Sequence, residues 1–256
     1  MNQRFKLGYA TIDVVNQKEA LERLVEMAEQ GPCRYAVTPN SDHIVMLEEH
    51  EELRAVYRDA HLVLADGMPV VWASRLIGPR LPERVTGAEI LPGLCAAAAR
   101  RGLTVFLLGA GPGVAEKAQT ILESTYPGLS VVGTYCPPLG FERSPDELEA
   151  IMKRLRSAAP HIIFVGLGAP KQEIWMHRHF RHLDRGVMLG IGAAIDFVAG
   201  TVQRAPRWMQ HTGLEWLYRL VQEPRRLAKR YLRDTRILWI ILREWRSRAR
   251  HSPGSA

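Results

Sequence analysis

The stretch TVFLLGAGPGVAEKAQTILEST, residues 104–125, decides the fold. Its first part, Thr104–Leu108, is a strand-length apolar run without polar alternation, which is typical of a strand covered on both faces. The glycine-rich turn Gly109–Gly113 follows, and Val114–Thr125 then shows the apolar spacing of a helix. A strand, a tight turn and a helix in immediate succession indicate one βα unit of a parallel sheet.

The same succession recurs on both sides of this unit. Further strand-length apolar runs are Tyr35–Val37, Leu62–Leu64, Ser130–Val132, Ile162–Val165 and Val187–Ile191. Stretches with helical spacing lie between them, namely Lys18–Gln30, Ser41–Arg58, Ala88–Arg101, Asp146–Ala158 and Gln172–His182. This alternation predicts an α/β fold with a Rossmann-like, doubly wound and mostly parallel sheet.

The last fifth of the chain differs from the rest in charge. Residues 201–256 hold 13 Arg and Lys against 4 Asp and Glu, whereas residues 1–200 hold 21 against 23. The basic segment looks helical with a break at Pro224, and it contains Trp208, Trp216, Trp239 and Trp245. We therefore predict an α/β domain over residues 1–200 and a basic, Trp- and Arg-rich helical appendage over residues 201–256. Such a surface suits nucleic acid or an anionic membrane.

Composition and missing motifs exclude several classes of protein. The chain has 256 residues and 46% hydrophobic residues, and no run approaches the roughly 20 apolar residues that span a bilayer. The N-terminus lacks the apolar core of a signal peptide, so we expect a cytoplasmic protein. Cys33, Cys95 and Cys136 are widely spaced, which favours reduced thiols over a zinc site or disulfides. Without an HExxH, GxSxG, Walker or DxD motif, we expect neither metal-dependent nor serine-nucleophile chemistry.

Polar or glycine-rich segments follow the predicted strands, at the edge where ligands bind in this class of sheet. Asp66 comes just after an apolar strand, and its carboxylate could accept a proton from a hydroxyl nucleophile. The alternative is an Asp-Gly turn without chemistry. The turn Gly109–Gly113 could hold a phosphate at a helix start, or it could be a tight turn without a ligand. It lacks the last glycine of GxGxxG, and no acidic residue follows the next strand, which argues against a dinucleotide cofactor.

Two further side chains could contact an anion. Arg84 could hold a phosphate through its forked donors, or it could be an ordinary surface arginine. Gln172 opens a predicted helix and could donate to a sugar or phosphate, or it could be solvated. The predicted helix also carries His177, His179 and His182, but no carboxylate or cysteine ligand accompanies them. We expect these histidines to form a solvated or packing face.

Taken together, these segments resemble a known family. TPN at 38–40, LADG at 64–67, ERVTG at 83–87, LGA at 108–110, VGLGAPKQE at 165–173, RAPRW at 204–208 and GLEWLYR at 213–219 occur in this order. The ordered set is similar to the bacterial WecG/TagA/CpsF glycosyltransferases, over about residues 7–235. Each piece is modestly specific, and the specificity comes from the order and spacing of the whole set.

The resemblance implies an activity. It implies transfer of a hexose or N-acetylhexosamine, such as N-acetylmannosamine, from a UDP-sugar to a polyprenyl-diphosphate-linked saccharide. It implies inversion at the anomeric carbon and no metal or other cofactor. Members of the family build teichoic acid linkage units, enterobacterial common antigen and exopolysaccharides. The donor sugar and the acceptor saccharide are not distinguished by any residue of this sequence.

The resemblance also assigns roles to residues. Asp66 is the candidate general base, with Thr38 and Asn40 as its polar neighbours. The substrate-binding candidates are Arg84, Gln172, Gly109, Ala110, Gly168, Lys171, Arg207, Arg219, Arg226 and Arg230, with Arg225 and Lys229 as competing registers in the appendage. Without a metal, arginines and backbone N–H groups have to stabilise the departing UDP. The appendage suits docking at the inner face of the plasma membrane, nucleic acid is not expected as a partner, and a homo-oligomer is compatible with the sequence.

Two other functions remain open from the sequence. A nucleotide-dependent oxidoreductase would use the turn Gly109–Gly113, and NAD(P) binding without UDP binding would favour it. A non-catalytic basic module would bind a membrane, since no recognition helix or RNA-binding aromatic motif supports nucleic acid. In the appendage, Leu214, Leu217, Tyr218 and Val221 lie on one helical face, which predicts burial against protein or membrane.

Overall fold

The computed structural model describes residues 3–251, apart from the side chains of Arg207, His211, Arg226, Ala249 and His251. The strands are β1 (Arg4–Leu7), β2 (Ala10–Asp13), β3 (Arg34–Val37), β4 (Leu62–Val63), β5 (Thr104–Gly109), β6 (Ser130–Tyr135), β7 (Ile162–Gly166) and β8 (Val187–Gly190). The helices of the body are α1 (Gln17–Glu29), α2 (Ser41–Glu49), α3 (Glu51–Asp59), α4 (Met68–Ile77), α5 (Gly87–Arg101), α6 (Val114–Thr125), α7 (Pro145–Ala158), α8 (Lys171–His179) and α9 (Ala194–Ala199). Those that follow are α10 (Arg207–Thr212), α11 (Glu215–Gln222), α12 (Pro224–Asp234) and α13 (Ile237–His251).

A six-stranded parallel sheet forms the centre of the body. Its strand order is β4-β3-β8-β7-β5-β6, and every neighbouring pair is parallel. Strands β7 and β8 are buried almost throughout, which explains why their sequences are unbroken apolar runs. The prediction of an α/β, Rossmann-like sheet is confirmed. Strands β1 and β2 form a separate antiparallel hairpin.

Helices cover both faces of the sheet. Apolar side chains of α2, α3, α4, α7 and α8 pack on one face, together with the hairpin. Those of α1, α5, α6 and α9 pack on the other face. The helix that follows β3 and the helix that follows β8 therefore lie on opposite faces, although these strands are neighbours. In doubly wound sheets, ligands bind beyond the carboxyl ends of two such strands.

The structure differs from the sequence-based expectation in several elements. The predicted helix Ser41–Arg58 is two helices, because His50 has extended backbone, with φ −112° and ψ 103°. The helix predicted to reach His182 ends at His179 and continues as a short 3-10 turn over Phe180–His182. Strand β6 continues to Tyr135, beyond its predicted end. The hairpin, α4 and α9 were not predicted.

Up to residue 251, the appendage comprises four helices that return along the body. α12 packs on α2, and α13 packs on α2, α4 and β1. Ile237 and Ile240 of α13 are buried, and full burial of each such side chain contributes about 1.5–3 kcal/mol. The break at Pro224 is confirmed, since α11 ends at Gln222 and Pro224 is the first residue of α12. The division into domains at residue 200 stays a prediction.

Within residues 3–251, none of the helices combines the length and the hydropathy that crossing a bilayer requires.

Candidate active site at the carboxyl edge of the sheet

Asp66 lies at the carboxyl end of β4, in the short segment that leads into α4. Its backbone N–H donates to the carbonyl oxygen of Pro39 at 2.9 Å, so the segments after β3 and β4 run side by side. Gly67 has a φ of 127°, which side chains rarely permit, and this glycine turns the chain into α4. A Cβ built on Gly67 would lie 3.6 Å from the Cβ of Asn40. Asp66 and Asn40 are therefore neighbours at the sheet edge.

The surroundings of Asp66 raise its pKa to about 6. Burial is the largest cause, because it disfavours the charged carboxylate, and Glu215 and Glu89 act in the same direction. The cations of Arg84 and His43 oppose them. A carboxylate with this pKa is ionised at neutral pH and is still basic enough to accept a proton, which suits a general base.

Arg84 belongs to a charge network that joins the body to the appendage. Its Nη2 lies 2.8 Å from Glu89 Oε1, and its Nη1 lies 3.2 Å from Glu215 Oε2. Arg204 contacts the same carboxylates, at 3.2 Å from Glu89 and 3.7 Å from Glu215. Because the Arg84 side chain is only 11% exposed, the alternative of a surface arginine is wrong. Through Glu215, the first residue of α11, the appendage reaches the Asp66 site.

Thr38 and Asn40 follow β3 and have different surroundings. The hydroxyl of Thr38 is buried and donates to the carbonyl oxygen of Gly190 at 3.1 Å, which ties the ends of β3 and β8 together. Asn40 caps α2, and its Oδ1 accepts from the backbone N–H groups of Asp42 and His43. As a helix cap, the Asn40 side-chain oxygen points to the first turn of α2. The catalytic roles assigned to both residues stay predictions.

The glycine-rich ends of β5 and β7 pack backbone against backbone. A Cβ on Gly109 would lie 2.4 Å from the carbonyl oxygen of Gly166, so glycine is required there by packing. The N–H of Ala110 donates to the same oxygen at 3.0 Å and is therefore not available to a phosphate. Gly168 has a φ of 78°, and a Cβ built on it would meet nothing within 4 Å. Of these predicted substrate-binding residues, Gly168 has the open approach that a ligand needs.

The first residues of α8 point in different directions. Lys171 extends to Glu142, with Nζ 3.7 Å from Oε1, and it remains 43% exposed. Gln172 is buried, so the alternative of a solvated helix start is wrong. Its Nε2 donates to Glu173 at 2.7 Å, and its Oε1 accepts from the backbone N–H of Gly192 at 3.3 Å. The Gln172 amide therefore joins the start of α8 to the segment after β8.

The predicted arginines of the appendage have distinct partners. Arg230 Nε lies 2.8 Å from Asp42 Oδ2, and Arg233 contacts the other oxygen of this carboxylate. Arg225 and Lys229 are exposed, so Arg230 occupies the register that faces the body. The Arg219 guanidinium lies 5.8 Å from the ring centroid of Phe197. Two further predicted residues, Arg207 and Arg226, have side chains outside the described part of the structure.

Sequence reasoning missed a buried pair in this site. His43 Nε2 lies 3.1 Å from Glu173 Oε1, and both side chains are almost completely inaccessible. Burial is the largest single influence on the pKa of His43 and lowers it, but the carboxylates of Glu173 and Asp42 together outweigh burial and raise the pKa. The spacing from Asn40 to His43 is that of a helix cap and the third helical residue, which is a local signal. The partner lies 130 positions away, where no local pattern could indicate it.

The predicted histidine face of α8 packs against protein. His177 Nε2 lies 3.1 Å from Asp59 Oδ2, and the His179 ring lies 5.1 Å from the ring of Trp175. Among the described residues, no three His, Cys, Asp or Glu side chains gather as a metal site would require.

Comparison with protein families accounts for nearly the whole chain. The Glycosyl transferase WecG/TagA/CpsF family matches residues 5–251, a range that includes the sheet, the Asp66 site and all four helices of the appendage. The family indicates glycosyl transfer in the synthesis of cell-surface polysaccharides, so neither the oxidoreductase nor the non-catalytic module is retained. The resemblance inferred from the ordered motifs is confirmed. This chain belongs to the WecG/TagA/CpsF family of glycosyltransferases.

Proposed function

We propose that this glycosyltransferase moves a hexose or N-acetylhexosamine from a UDP-sugar to a saccharide carried on polyprenyl diphosphate, with inversion and without a metal ion. The observation that supports this most strongly is the meeting of Asp66 and Arg84 under the start of α11. A carboxylate with a pKa of about 6 lies there next to a guanidinium that is 11% exposed. A base and a cation at one sheet edge are the two groups that transfer from a nucleotide sugar needs.

The reaction is a single displacement. Asp66 accepts the proton of a hydroxyl group of the acceptor saccharide. At the same time, the oxygen of that hydroxyl group attacks the anomeric carbon of the donor sugar. The new carbon–oxygen bond forms on the face opposite the diphosphate, and the bond to UDP breaks with its electron pair leaving on the phosphate oxygen. One displacement inverts the configuration of the anomeric carbon.

Arginines of both parts of the chain supply positive charge for the leaving diphosphate. Arg84 and Arg204 share the carboxylates of Glu89 and Glu215, and Arg230 shares Asp42 with Arg233. Arginines held in pairs around a carboxylate have the geometry in which they also bind phosphate oxygens. We infer that the diphosphate replaces one or more of these carboxylates as the partner of the arginines.

Exposed apolar side chains of the appendage support a peripheral position on the inner face of the plasma membrane. Half of the predicted stripe is exposed, since Leu217 is 40% and Val221 is 75% exposed, whereas Leu214 and Tyr218 are half-buried. On α13, Trp239 is 64% and Trp245 is 53% exposed. Tryptophan and arginine together favour the interface of an anionic bilayer, which is where a lipid-linked acceptor would lie.

An assay of UDP release tests this proposal. We expect release from one of several UDP-sugars, including those of N-acetylmannosamine, its uronic acid and glucose, only when a short-chain lipid-diphosphate acceptor is present. Asp66→Ala should lower kcat roughly 100-fold or more with an unchanged circular dichroism spectrum. Full activity of this variant would remove Asp66 from the role of base, and release without an acceptor would contradict the transfer reaction.

A further inference from the structure

A continuous chain of hydrogen-bonded side chains links the segment after β3 to the segment after β8. His43 Nδ1 lies 2.9 Å from Asn40 Oδ1, and His43 Nε2 lies 3.1 Å from Glu173 Oε1. Gln172 donates to the same Glu173 oxygen at 2.7 Å and accepts from the N–H of Gly192. We name Asn40, His43, Glu173 and Gln172 the buried polar chain. It runs from the neighbourhood of the candidate base to the segment after β8.

Hydrogen-bond distances assign the protons of this chain. Asn40 Oδ1 accepts from the backbone N–H groups of Asp42 and His43, at 3.0 and 3.3 Å, which identifies it as the amide oxygen. An amide oxygen cannot donate, so its 2.9 Å contact with His43 Nδ1 needs a proton on that nitrogen. The backbone N–H of Asn40 faces the same nitrogen at 3.5 Å, which is the longer and weaker contact, so we assign the proton to Nδ1. A second proton lies between His43 Nε2 and Glu173 Oε1. The Asn40 amide is thus held in one orientation, and its NH₂ group makes no hydrogen bond to the residues that the structure describes.

Charged groups from several elements surround His43. Glu173 belongs to α8, Asp42 to the helix of His43 itself and Arg230 to α12, and all three act on its protonation. The Tyr57 ring of α3 lies 6.3 Å from the imidazole ring, between centroids. A cation on His43 also acts on Asp66, where it opposes the effect of burial on the pKa. The buried polar chain is therefore coupled to the candidate base by geometry and by charge.

Stability alone does not explain why this chain is polar. Glu173 has no exposed surface, and its second oxygen, Oε2, makes no hydrogen bond among the described residues. The surrounding core is apolar, with Trp175 and Met176 on the same helix. Apolar side chains in place of a buried ion pair are often as stable or more stable. Local departures of this kind from stable packing are typical of functional sites.

We propose that His43 and Glu173 are positioning residues, which fix the amide of Asn40 beside the candidate base through the buried polar chain. The same chain holds Gln172 on the segment after β8, so the segments after β3 and β8 keep one geometry. Neither His43 nor Glu173 touches a substrate in this account. The inference rests on the proposed function, because its kinetic test needs a working transfer assay.

Two substitutions of His43 separate the two halves of its role. Asn at this position retains a donor near Nδ1 and therefore the contact with the Asn40 amide. Gln retains a donor near Nε2 and therefore only the contact with Glu173. We expect His43→Gln to lower kcat roughly 100-fold, the scale of a small misplacement of a catalytic group, and to change KM less. His43→Asn should retain more of the activity than His43→Gln.

The matched control is His177→Gln. His177 also pairs with a carboxylate, Asp59 at 3.1 Å, but outside the buried polar chain. This variant should keep the kcat of the unmodified protein.

The acidic limb of kcat/KM should move to higher pH in His43→Gln, because Asp66 loses a neighbouring cation. If His43→Gln and His177→Gln have the same kcat and the same acidic limb of kcat/KM, the proposal is overturned.

An NMR measurement on the unmodified protein tests the proposal even if the His43 variants do not fold. In ¹⁵N NMR of the unmodified protein at pH 7, His43 Nδ1 should be protonated and protected from exchange, and an unprotonated Nδ1 would overturn the proposal. If no UDP-sugar is turned over by the unmodified protein, the proposed function fails instead, and the NMR result still decides whether the chain exists. If the unmodified protein turns over a UDP-sugar and the His43 variants have the same kcat, only the positioning role is rejected.

Discussion

The Asp66 carboxylate lies among neighbours that favour its protonated form, and its pKa is raised to about 6. The contribution of this group to stability is therefore complete below pH about 4 and is lost as the pH rises through about 6. Asp66→Asn should raise the free energy of unfolding by about 1–3 kcal/mol at pH 7.5 and by little at pH 4. Urea denaturation at both pH values measures this difference.

A second aspartate provides a control of opposite sign. The hydrogen bond from His177 lowers the pKa of Asp59, so Asp59→Asn should destabilise the protein at neutral pH. If both substitutions change the free energy of unfolding equally at pH 7.5, the surroundings of Asp66 do not disfavour its charged form. A stabilised but inactive Asp66→Asn variant would be a case of stability exchanged for activity.

Sequence position alone revealed some functional residues and concealed others. Asp66 follows a strand that could be recognised from its apolar run, so its place at the sheet edge could be predicted. Ala110 could not be judged, because its N–H is used by a strand that lies far along the chain. The pairing of His43 with Glu173 joins positions 130 residues apart, and only the folded sheet brings them together.

At the scale of elements, the contact between α11 and the body controls the charge around the base. Glu215 raises the pKa of Asp66, after burial, and it also occupies donors of Arg84. Glu215→Gln should tighten UDP binding on the order of threefold, the scale of one partly exposed ion pair. It should also move the acidic limb of kcat/KM to lower pH. Calorimetry with UDP and a pH–rate profile measure the two effects.

The control for this change is Glu22→Gln on α1, where the carboxylate is 65% exposed and pairs with Lys18. We expect unchanged UDP affinity and an unchanged pH–rate profile. Weaker UDP binding in Glu215→Gln would mean that Glu215 serves mainly to dock the appendage, which would contradict its competition with the diphosphate.

The elements with the strongest patterns could be predicted from the sequence. The central strands are covered on both faces, so their apolar runs are unbroken and easily recognised. Helix α4 was missed because Pro69 lies in its first turn, where proline is tolerated but resembles a loop signal. The break at His50 has no glycine or proline to mark it. Helix α2 packs on α12, whereas α3 packs on α8 and β2, and no local sequence pattern shows these contacts.

At the scale of the whole molecule, the appendage should attach the protein to anionic membranes. The double variant Trp239→Ser/Trp245→Ser should lower the partition coefficient onto phosphatidylglycerol vesicles roughly tenfold or more. Binding of the unmodified protein should weaken as salt is added, because the basic segment is screened. Vesicle co-sedimentation measures both effects.

An exposed leucine elsewhere on the body is the matched control for this experiment. Leu139 is fully exposed and precedes the 3-10 turn Phe141–Arg143. Leu139→Ser therefore removes apolar surface without changing the appendage. It should bind vesicles like the unmodified protein. If both substitutions weaken binding equally, the appendage is not the membrane-binding surface.

A crystal structure of the protein with bound UDP tests the central claim most directly. We predict that the diphosphate lies at the carboxyl edge near Asp66, with arginines from both the body and the appendage bound to its oxygens. Glu215 or Asp42 should then have released at least one arginine that it holds in the free protein. A UDP molecule bound away from this edge, with the pairs of Arg84 and Arg230 unchanged, would contradict the account.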